Sequence, residues 1–357
     1  MKLGIIGLTG SGKSTVFRAL TGGVESGERR GHQEPGLGVV KVEDARLDWL
    51  AAHYKPKKVT PVLVEYLDIP GIPAEARTGR SLGDKVLPHI RPLEALVHCV
   101  RFFDSPALGP PEPLKDFLAG EEELILSDLA VVEKRLERLE KDVARGRKDL
   151  SEELELLREA DKYLDEGKPL RLFSAAVDSE KLRGFAFLSA KPQIILLNAG
   201  ENKNRDEIQS ILEQIRQNTD GQAHIAADWL YADTEAEIAR LSEEDAREFL
   251  NDLNLDEGAK NRIIKKSFQL LNLIVFFTVG EDEVRAWQLR QGQTALRAAG
   301  TVHSDMERGF IRAEVVAFED FKHAGSTAAA HKVGKVRLEG KEYHVVDGDI
   351  ILFRFNV

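Results

Sequence analysis

The sequence predicts an α/β domain interrupted by a helical arm and followed by a small β-rich domain. Three observations carry that expectation. Short apolar runs bounded by turn signals recur at 2–6, 62–67, 95–103 and 193–197, with a fifth at 224–227, and helical stretches separate them. Such runs fit the buried strands of a parallel sheet. Between the third and fourth runs, Ile125, Leu129, Val132, Leu136, Leu139 and Val143 step by four and three residues alternately, with charges between them. That is the apolar seam of a coiled-coil helix. From Leu270 onward the texture becomes strand-like, in LNLIVFFTVG, DEVRAWQL, GFIRAEVVAF, KVRLEG and KEYHVVDGDIILFRFNV, with Glu-Gly and Asp-Gly turns.

Taken in order, 2–6 is a strand and 12–20 a turn entering a helix. The seam breaks at Arg145-Gly146-Arg147 and resumes at Leu150, Leu154, Leu157 and Leu164. Two charged helices joined by a glycine turn form an antiparallel hairpin, inserted because strands lie on both sides of it. The expected division is 1–113 with 180–270 for the α/β domain, 114–179 for the arm and 271–357 for the β-rich domain. A chain of 357 residues suits two or three domains.

Composition narrows the class. The chain is 42% apolar and 31% charged, as globular proteins are. No apolar run approaches the roughly 20 residues of a membrane helix, and the first residues lack a signal-peptide pattern. A lone cysteine, Cys99, builds no disulfide framework, which points to a reducing cytoplasm and a buried structural thiol. The net charge of −10 argues against a generally polyanion-binding surface, and nine scattered histidines form no zinc spacing. The expected state is a cytoplasmic monomer with no membrane partner.

The stretch GLTGSGKST contains Gly7, Gly12, Lys13 and Ser14 in the pattern G-x-x-x-x-G-K-[ST], after a strand and before a helix. Glycines let backbone N–H groups turn inward around phosphate oxygens, and the helix N-terminus adds its positive dipole end. The loop Gly7, Leu8, Thr9, Gly10, Ser11, Gly12 would cradle the phosphates of a nucleoside triphosphate. Lys13 would reach the β and γ phosphates and Ser14 would ligate Mg²⁺, while Thr15 faces the base side or the helix start. A second element, Asp68-Ile69-Pro70-Gly71, follows another apolar run. Asp68 would hold the Mg²⁺ shell, and the Gly71 N–H would sense the γ-phosphate. Together these select a P-loop GTPase-like module.

Base reading falls to the end of a later strand, where Asn198-Ala199-Gly200-Glu201 stands in place of N-K-x-D. Glu201 is one methylene longer than the guanine-reading Asp, which weakens strict guanine choice. Ile72 occupies the place where a glutamine would orient the attacking water and can neither donate nor accept.

These residues together resemble the YchF/Obg-like ATPase family, a branch of the P-loop GTPases. The resemblance rests on GLTGSGKST, ARLDWLAAHYKP at 45–56, DIPGI at 68–72, SLGDKVLPHIRPLEALVHCVR at 81–101 and the N-x-x-E at 198–201. Most specific is FFTVGEDEVRAWQLRQGQTALRAAGTVHSDMERGFIRAEVVAFEDF at 276–321, with VVDGDIILFRFNV at the end. The family implies a G domain, an inserted coiled-coil arm and a C-terminal TGS domain, which is β-grasp-like. It implies Mg²⁺-dependent hydrolysis of ATP or GTP with ATP preferred in many members, a hydrophobic residue at the place of Ile72, and association with ribosomes or RNA.

The sequence departs from its family in places. Thr9, Gly10 and Ser11 replace the usual variable residues of the loop. His32 stands where a threonine usually precedes Glu34-Pro35. The loop DSPALGPPEPLKD lacks the histidine many members carry, which leaves His89 as the nearby candidate in catalysis, alongside Gly71; the other reading of His89 is a helix-surface or packing histidine. The leading expectation is a slow or partner-stimulated ATPase switch whose segments near 28–40 and 71–85 order and release with nucleotide. The alternatives are a nucleotide-gated ribosome- or RNA-binding adaptor in which hydrolysis is incidental, and a strict GTPase. Most of the arm has balanced charges; only its tip, with Arg145, Arg147 and Lys148, is net basic and a candidate RNA or partner contact.

Overall fold

The computed structural model describes residues 1–23, 35–72, 83–220, 222, 224–252, 255 and 257–356. The chain forms two compact units: Met1–Val40 with Val64–Leu270, and Lys41–Leu63 with Leu271–Val357. In chain order the elements to the end of the first unit begin with β1 (Lys2–Ile6), α1 (Lys13–Thr21), β2 (Gly36–Lys41), α2 (Ala45–Tyr54), β3 (Lys58–Thr60), β4 (Leu63–Asp68), α3 (Gly83–Ile90) and β5 (Ala95–Phe102). They continue with α4 (Pro113–Ala144), α5 (Ser151–Asp165), α6 (Ser174–Asp178), α7 (Glu180–Arg183), β6 (Gln193–Ala199), α8 (Arg205–Asn218), β7 (Ile225–Leu230), α9 (Ala232–Ile238), α10 (Glu243–Asp252) and α11 (Ala259–Leu270).

The sheet of the first unit runs β2-β4-β1-β5-β6-β7. β4 and β5 flank β1 in parallel, and β6 and β7 continue outward in parallel. β5 and β6 are buried along their whole length, which is why they read as unbroken apolar runs rather than as alternation. The register places Ile5 beside Asp68, Ile6 beside His98 and Arg101 beside Asn198, so the C-terminal ends of four strands meet on one edge. Open α/β sheets bind ligands at that edge. The five strands read from the sequence are β1, β4, β5, β6 and β7. β2, with two glycines and every second residue half-exposed, escaped that reading.

The helical hairpin is α4 and α5, joined through a short 3₁₀ turn at Lys148–Leu150. Every seam residue read from the sequence packs in its core, with Val132, Leu139, Leu154 and Leu157 deeply buried and Leu129, Leu136, Val143 and Leu150 around them. The insertion does not start at the helix start. Phe117 packs under β5 and β6, and Leu124 packs with Ile6 and Leu96, so the first turns of α4 belong to the sheet. At the far boundary, Leu182 and Phe187 pack with the hairpin.

The second unit adds β8 (Leu273–Thr278), β9 (Glu283–Arg290), α12 (Ala295–Val302), α13 (Ser304–Arg308), β10 (Phe310–Ala317), α14 (Phe318–Ala324), α15 (Thr327–Lys332), β11 (Arg337–Glu339) and β12 (Asp349–Phe355). Its mixed sheet runs β11-β10-β12-β8-β9-β3. Segment 41–63, assigned by the sequence to the first domain, packs here instead. β3 pairs in parallel with β9, Lys58 beside Glu283 through Thr60 beside Arg285. Trp49 and His53 of α2 stack at 5.1 Å, Trp49 meets Phe318 and Phe321 edge-on, and Tyr54 stacks on Phe321 at 5.8 Å. Arg46 spans Asp44 at 2.8 Å and Asp347 at 2.6 Å. Aromatic area and a two-carboxylate clamp give this short segment more to bury here than its length suggests.

Candidate functional site

The glycine turn follows β1, and α1 begins at its end with Gly12 as N-cap and no capping side chain. The Thr15 N–H turns back to the Gly12 carbonyl at 3.0 Å, and the Lys13 and Ser14 amides at the helix start are left to face a ligand, the arrangement that suits an anion. Gly12 has φ +86°, and a Cβ there would lie 2.2 Å from Asn198 Nδ2, so both backbone and space demand glycine. Lys13 is buried. Its Nζ donates to the Leu8 carbonyl at 3.1 Å and lies 3.0 Å from where a Cβ on Gly71 would stand. Burial pulls the ammonium pKa down, against the opposing influence of Cys99 and Asp68. Ser14 Oγ donates to Asp68 Oδ2 at 3.0 Å. Thr15 turns along the helix surface and its hydroxyl accepts from Arg18 at 3.2 Å, the helix-start alternative of the sequence reading.

The Asp68–Ile72 segment is stitched to the turn. The Ile72 N–H donates to the Gly7 carbonyl at 3.0 Å, and the Ile72 carbonyl accepts from the Thr9 N–H at 2.7 Å and the Thr9 hydroxyl at 3.2 Å. The Ile72 side chain is turned away into the core with Ile6, Leu8, Ile69 and Ile90, at 2% exposure. The residue at the water-orienting place is therefore committed to packing. Cys99 is a buried structural thiol, as expected; its Sγ donates to the Ser11 carbonyl at 3.2 Å, and burial pushes its pKa up to about 11.

At the end of β6, both ends of the Asn198 amide are engaged. Nδ2 donates to the Ser11 carbonyl at 3.1 Å and Oδ1 accepts from the Ala232 N–H at 3.4 Å. Asn198 thus braces the phosphate turn against the start of α9. Glu201 is exposed, and its Oε1 accepts from the Thr234 hydroxyl at 2.5 Å.

Other residues of the site carried no sequence signal. Arg101, buried at the end of β5, donates from Nη1 to the carbonyls of Phe103 at 3.2 Å and Gly109 at 2.9 Å, and from Nη2 to that of Pro110 at 3.0 Å. It clamps the loop 103–110. From that loop a Leu108 methyl lies 2.4 Å from where a Cβ on Gly10 would stand, and Phe103 wedges between Gly12 and Gly200. Asp104 ties the same loop to the base-reading segment, accepting from Asn202 Nδ2 at 2.8 Å and pairing with Lys203 at 3.3 Å. Those two partners hold its pKa below the usual carboxylate range. Lys203 also lies over the Phe102 ring at 5.5 Å. A lysine does return to this corner, two residues beyond Glu201, too far along the chain for the N-K-x-D spacing to flag it.

His89 is exposed in the last turn of α3, and among the described residues no hydrogen bond or ion pair joins it to 7–15 or 68–72. His32, Glu34 and Gly79 lie outside the described residues. At the arm tip, Arg147 forks onto Asp149 at 3.0 and 2.9 Å and Arg145 lies 3.9 Å from Asp142, while Lys148 is exposed. The chain's own acids answer part of the tip's positive charge.

A strand–turn–helix with Lys13 and Ser14, beside a parallel strand that ends at Asp68 and leads to Gly71, defines a P-loop nucleotide-binding domain of the GTPase class. Residues 2–134 match the family model described as 50S ribosome-binding GTPase, and residues 273–356 match that of the YchF GTPase C-terminal region, described as a protein of unknown function. The chain is 40% identical over 365 residues to the ribosome-binding ATPase YchF of Haemophilus ducreyi, covering 100% of this chain and 99% of that one. It is 40% identical over 363 residues to the Bacillus subtilis protein of the same name, covering 99% of each. To Obg-like ATPase 1 of Oryza sativa it is 36% identical over 368 residues, covering 100% of this chain and 92% of the relative. The solved structure of the Schizosaccharomyces pombe YchF GTPase superposes with a TM-score of 0.83 at 32% identity, over 99% of this chain and 97% of that one. The chain belongs to the YchF family.

Proposed function

We propose that this protein is a nucleotide switch that binds ATP with Mg²⁺, hydrolyses it slowly, and works with the ribosome as a cytoplasmic monomer. The observation that carries the proposal is the convergence of Lys13 Nζ, the Ser14–Asp68 pair and Gly71 at one edge of the sheet. The relatives named as ribosome-binding ATPases align over essentially the whole chain and supply the partner. Among the described residues no helix is long and apolar enough to cross a membrane.

A hydroxyl and one carboxylate, 3.0 Å apart, form a hard-oxygen donor pair that suits Mg²⁺, which keeps several waters and takes the rest of its shell from phosphate. Ser14 would ligate it and Asp68 would hold its shell; the ion would neutralise charge on the phosphates. The chain's own residues bind and orient. Lys13 carries its charge into a buried site, where it interacts with phosphate more strongly than in water. The Gly71 backbone stands within reach of Lys13 and so of the terminal phosphate. With Ile72 buried, water positioning falls to a partner or to a conformational change, and turnover is slow without one. His89, exposed on α3, would enter the site only through such a change. Gly7 through Thr15 hold the triphosphate, Asn198 braces the turn, and Glu201 reads the base.

Calorimetric titration with Mg²⁺-ATP and Mg²⁺-GTP tests the proposal, with turnover measured with and without ribosomes. ATP should bind more tightly than GTP, ribosomes should raise turnover, and Lys13→Ala should abolish binding of both. Absence of binding by the unmodified chain overturns the proposal. The alternative of an adaptor with incidental hydrolysis draws on Ile72. It is distinguished by ribosome co-sedimentation that follows nucleotide binding but is unaffected by blocking turnover. Reversing Arg145, Arg147 and Lys148 should weaken salt-sensitive co-sedimentation if the tip touches RNA.

A further inference from the structure

Thr234 lies on α9, 5% exposed, and its hydroxyl donates to Glu201 Oε1 at 2.5 Å. We propose that Thr234 is a specificity-determining positioning residue: it takes one acceptor site of the base-reading carboxylate, fixes how that carboxylate is turned, and so tilts the site toward adenine over guanine. The inference rests on Glu201 as base reader and deepens that assignment.

The chemistry follows from what each base offers. Guanine presents two neighbouring N–H groups on one edge, and a carboxylate matches them only when both oxygens are turned toward that edge side by side. Adenine presents one exocyclic amino group beside an acceptor nitrogen, which a single carboxylate oxygen satisfies. Glu201 Oε1 is turned toward Thr234 and has one acceptor site taken by its hydroxyl, and Oε2 takes no hydrogen bond among the described residues. The neighbouring donors of the corner are engaged elsewhere. Asn198 is held by Ser11 and Ala232, and Asn202 and Lys203 are held by Asp104. Of the two Glu201 oxygens, only Oε2 keeps its full acceptor capacity.

The hold is also rigid. A free glutamate has three rotatable side-chain bonds, and fixing them on binding costs entropy. Thr234 is β-branched and 5% exposed, so branching and packing restrict where it can present its hydroxyl. A glutamate anchored this way meets the base with little left to order.

The experiment compares affinities of Mg²⁺-ATP and Mg²⁺-GTP for the full chain and for Thr234→Val, Thr234→Ser, Glu201→Ala and the Thr234→Val/Glu201→Ala double variant. Valine keeps the buried shape and removes the donor. In Thr234→Val the ratio of ATP to GTP affinity should fall about five- to tenfold, mostly through tighter GTP binding, and Thr234→Ser should restore it to within about twofold. In the Glu201→Ala background Thr234→Val should move the ratio by less than about twofold, because the hydroxyl acts through that carboxylate. A ratio unchanged in Thr234→Val, an equal loss for both nucleotides, or a shift that persists without Glu201 overturns the inference while leaving nucleotide binding intact. An unmodified chain that binds neither nucleotide overturns the functional proposal itself, and this inference with it.

Discussion

The two ends of the helical arm are built on opposite principles. The outer hairpin is held by leucines and valines at alternating steps, whose contacts are non-directional and many. The root, where α4 crosses the sheet, is held by buried polar groups. Asp128, fully buried, accepts from the Leu188 N–H at 2.9 Å and from the Ser189 N–H and hydroxyl at 2.7 Å each. Arg171 pairs with Glu121, both buried, with Gln222 Oε1 at 3.4 Å from the same nitrogen. His98 accepts or donates at Nδ1 to Gln193 at 3.0 Å and packs directly beneath Gly120. An apolar seam tolerates the loss of one member in proportion to the volume removed. A buried polar cluster fixes one arrangement and is costly to break, because each orphaned group forfeits its hydration as well as its partner.

The largest expected effect comes from splitting the charge pair. Arg171→Met should destabilise the chain by about 3–5 kcal/mol in urea unfolding, since Glu121 is left charged and buried; Arg171→Met with Glu121→Leu should recover most of that loss. Failure of the double change to recover would mean the cost lies in packing. Next in size is a pH effect. Burial pulls the His98 pKa down from 6.5 to about 4, opposed by Glu121 and aided by Arg171 and Lys13. The unfolded chain therefore binds the proton first as pH falls, so this group subtracts stability between pH 6.5 and 4. Asp128 works the other way, because burial raises its pKa from 3.8 to about 6 and the folded chain takes up that proton first. His98→Gln should remove the first effect alone. Its stability relative to the parent should rise by about 3 kcal/mol between pH 6.5 and pH 4, measured by unfolding at each pH.

Gly120→Ala should cost about 1–3 kcal/mol, although alanine is the better helix former by about 1 kcal/mol, because its Cβ would lie 2.4 Å from the His98 ring. Adding His98→Ala should reverse the sign. Out on the hairpin, Leu136→Ala, at a partly buried seam position, should cost about 1–2 kcal/mol. At the tip, Arg147→Ala should leave the melting temperature unchanged, because its partner Asp149 is as exposed as it is. A measurable loss there would mean the tip is more ordered than an exposed ion pair makes it.

The same contrast explains what could be read ahead of the structure. The seam is periodic, so its residues identify one another at fixed spacing. The root residues Glu121, Asp128, Arg171, His98 and Gln193 come from four separate stretches, and nothing in their spacing connects them. β3 is a three-residue strand whose partner lies more than 200 residues away, and segment 41–63 finds its packing on Phe318 and Phe321 at similar separation. Arg101 and Leu108 belong to the site only because β5 ends beside β1.

What the sequence determined by itself was local or repetitive: the glycine turn with Lys13 and Ser14, the Asp68–Gly71 element, the buried strands, the seam, and the loss of a water-orienting side chain at Ile72. Each of these is a property of neighbours along the chain, where backbone geometry and periodicity do the selecting. Tertiary structure decided which distant groups share a site. It spent Asn198 on bracing the phosphate turn, gave Glu201 a partner in Thr234, moved 41–63 into the second unit, and placed a polar cluster under the arm. Those outcomes depend on which side chains meet across strands and helices, and contact at long separation is set by the packing of the whole fold.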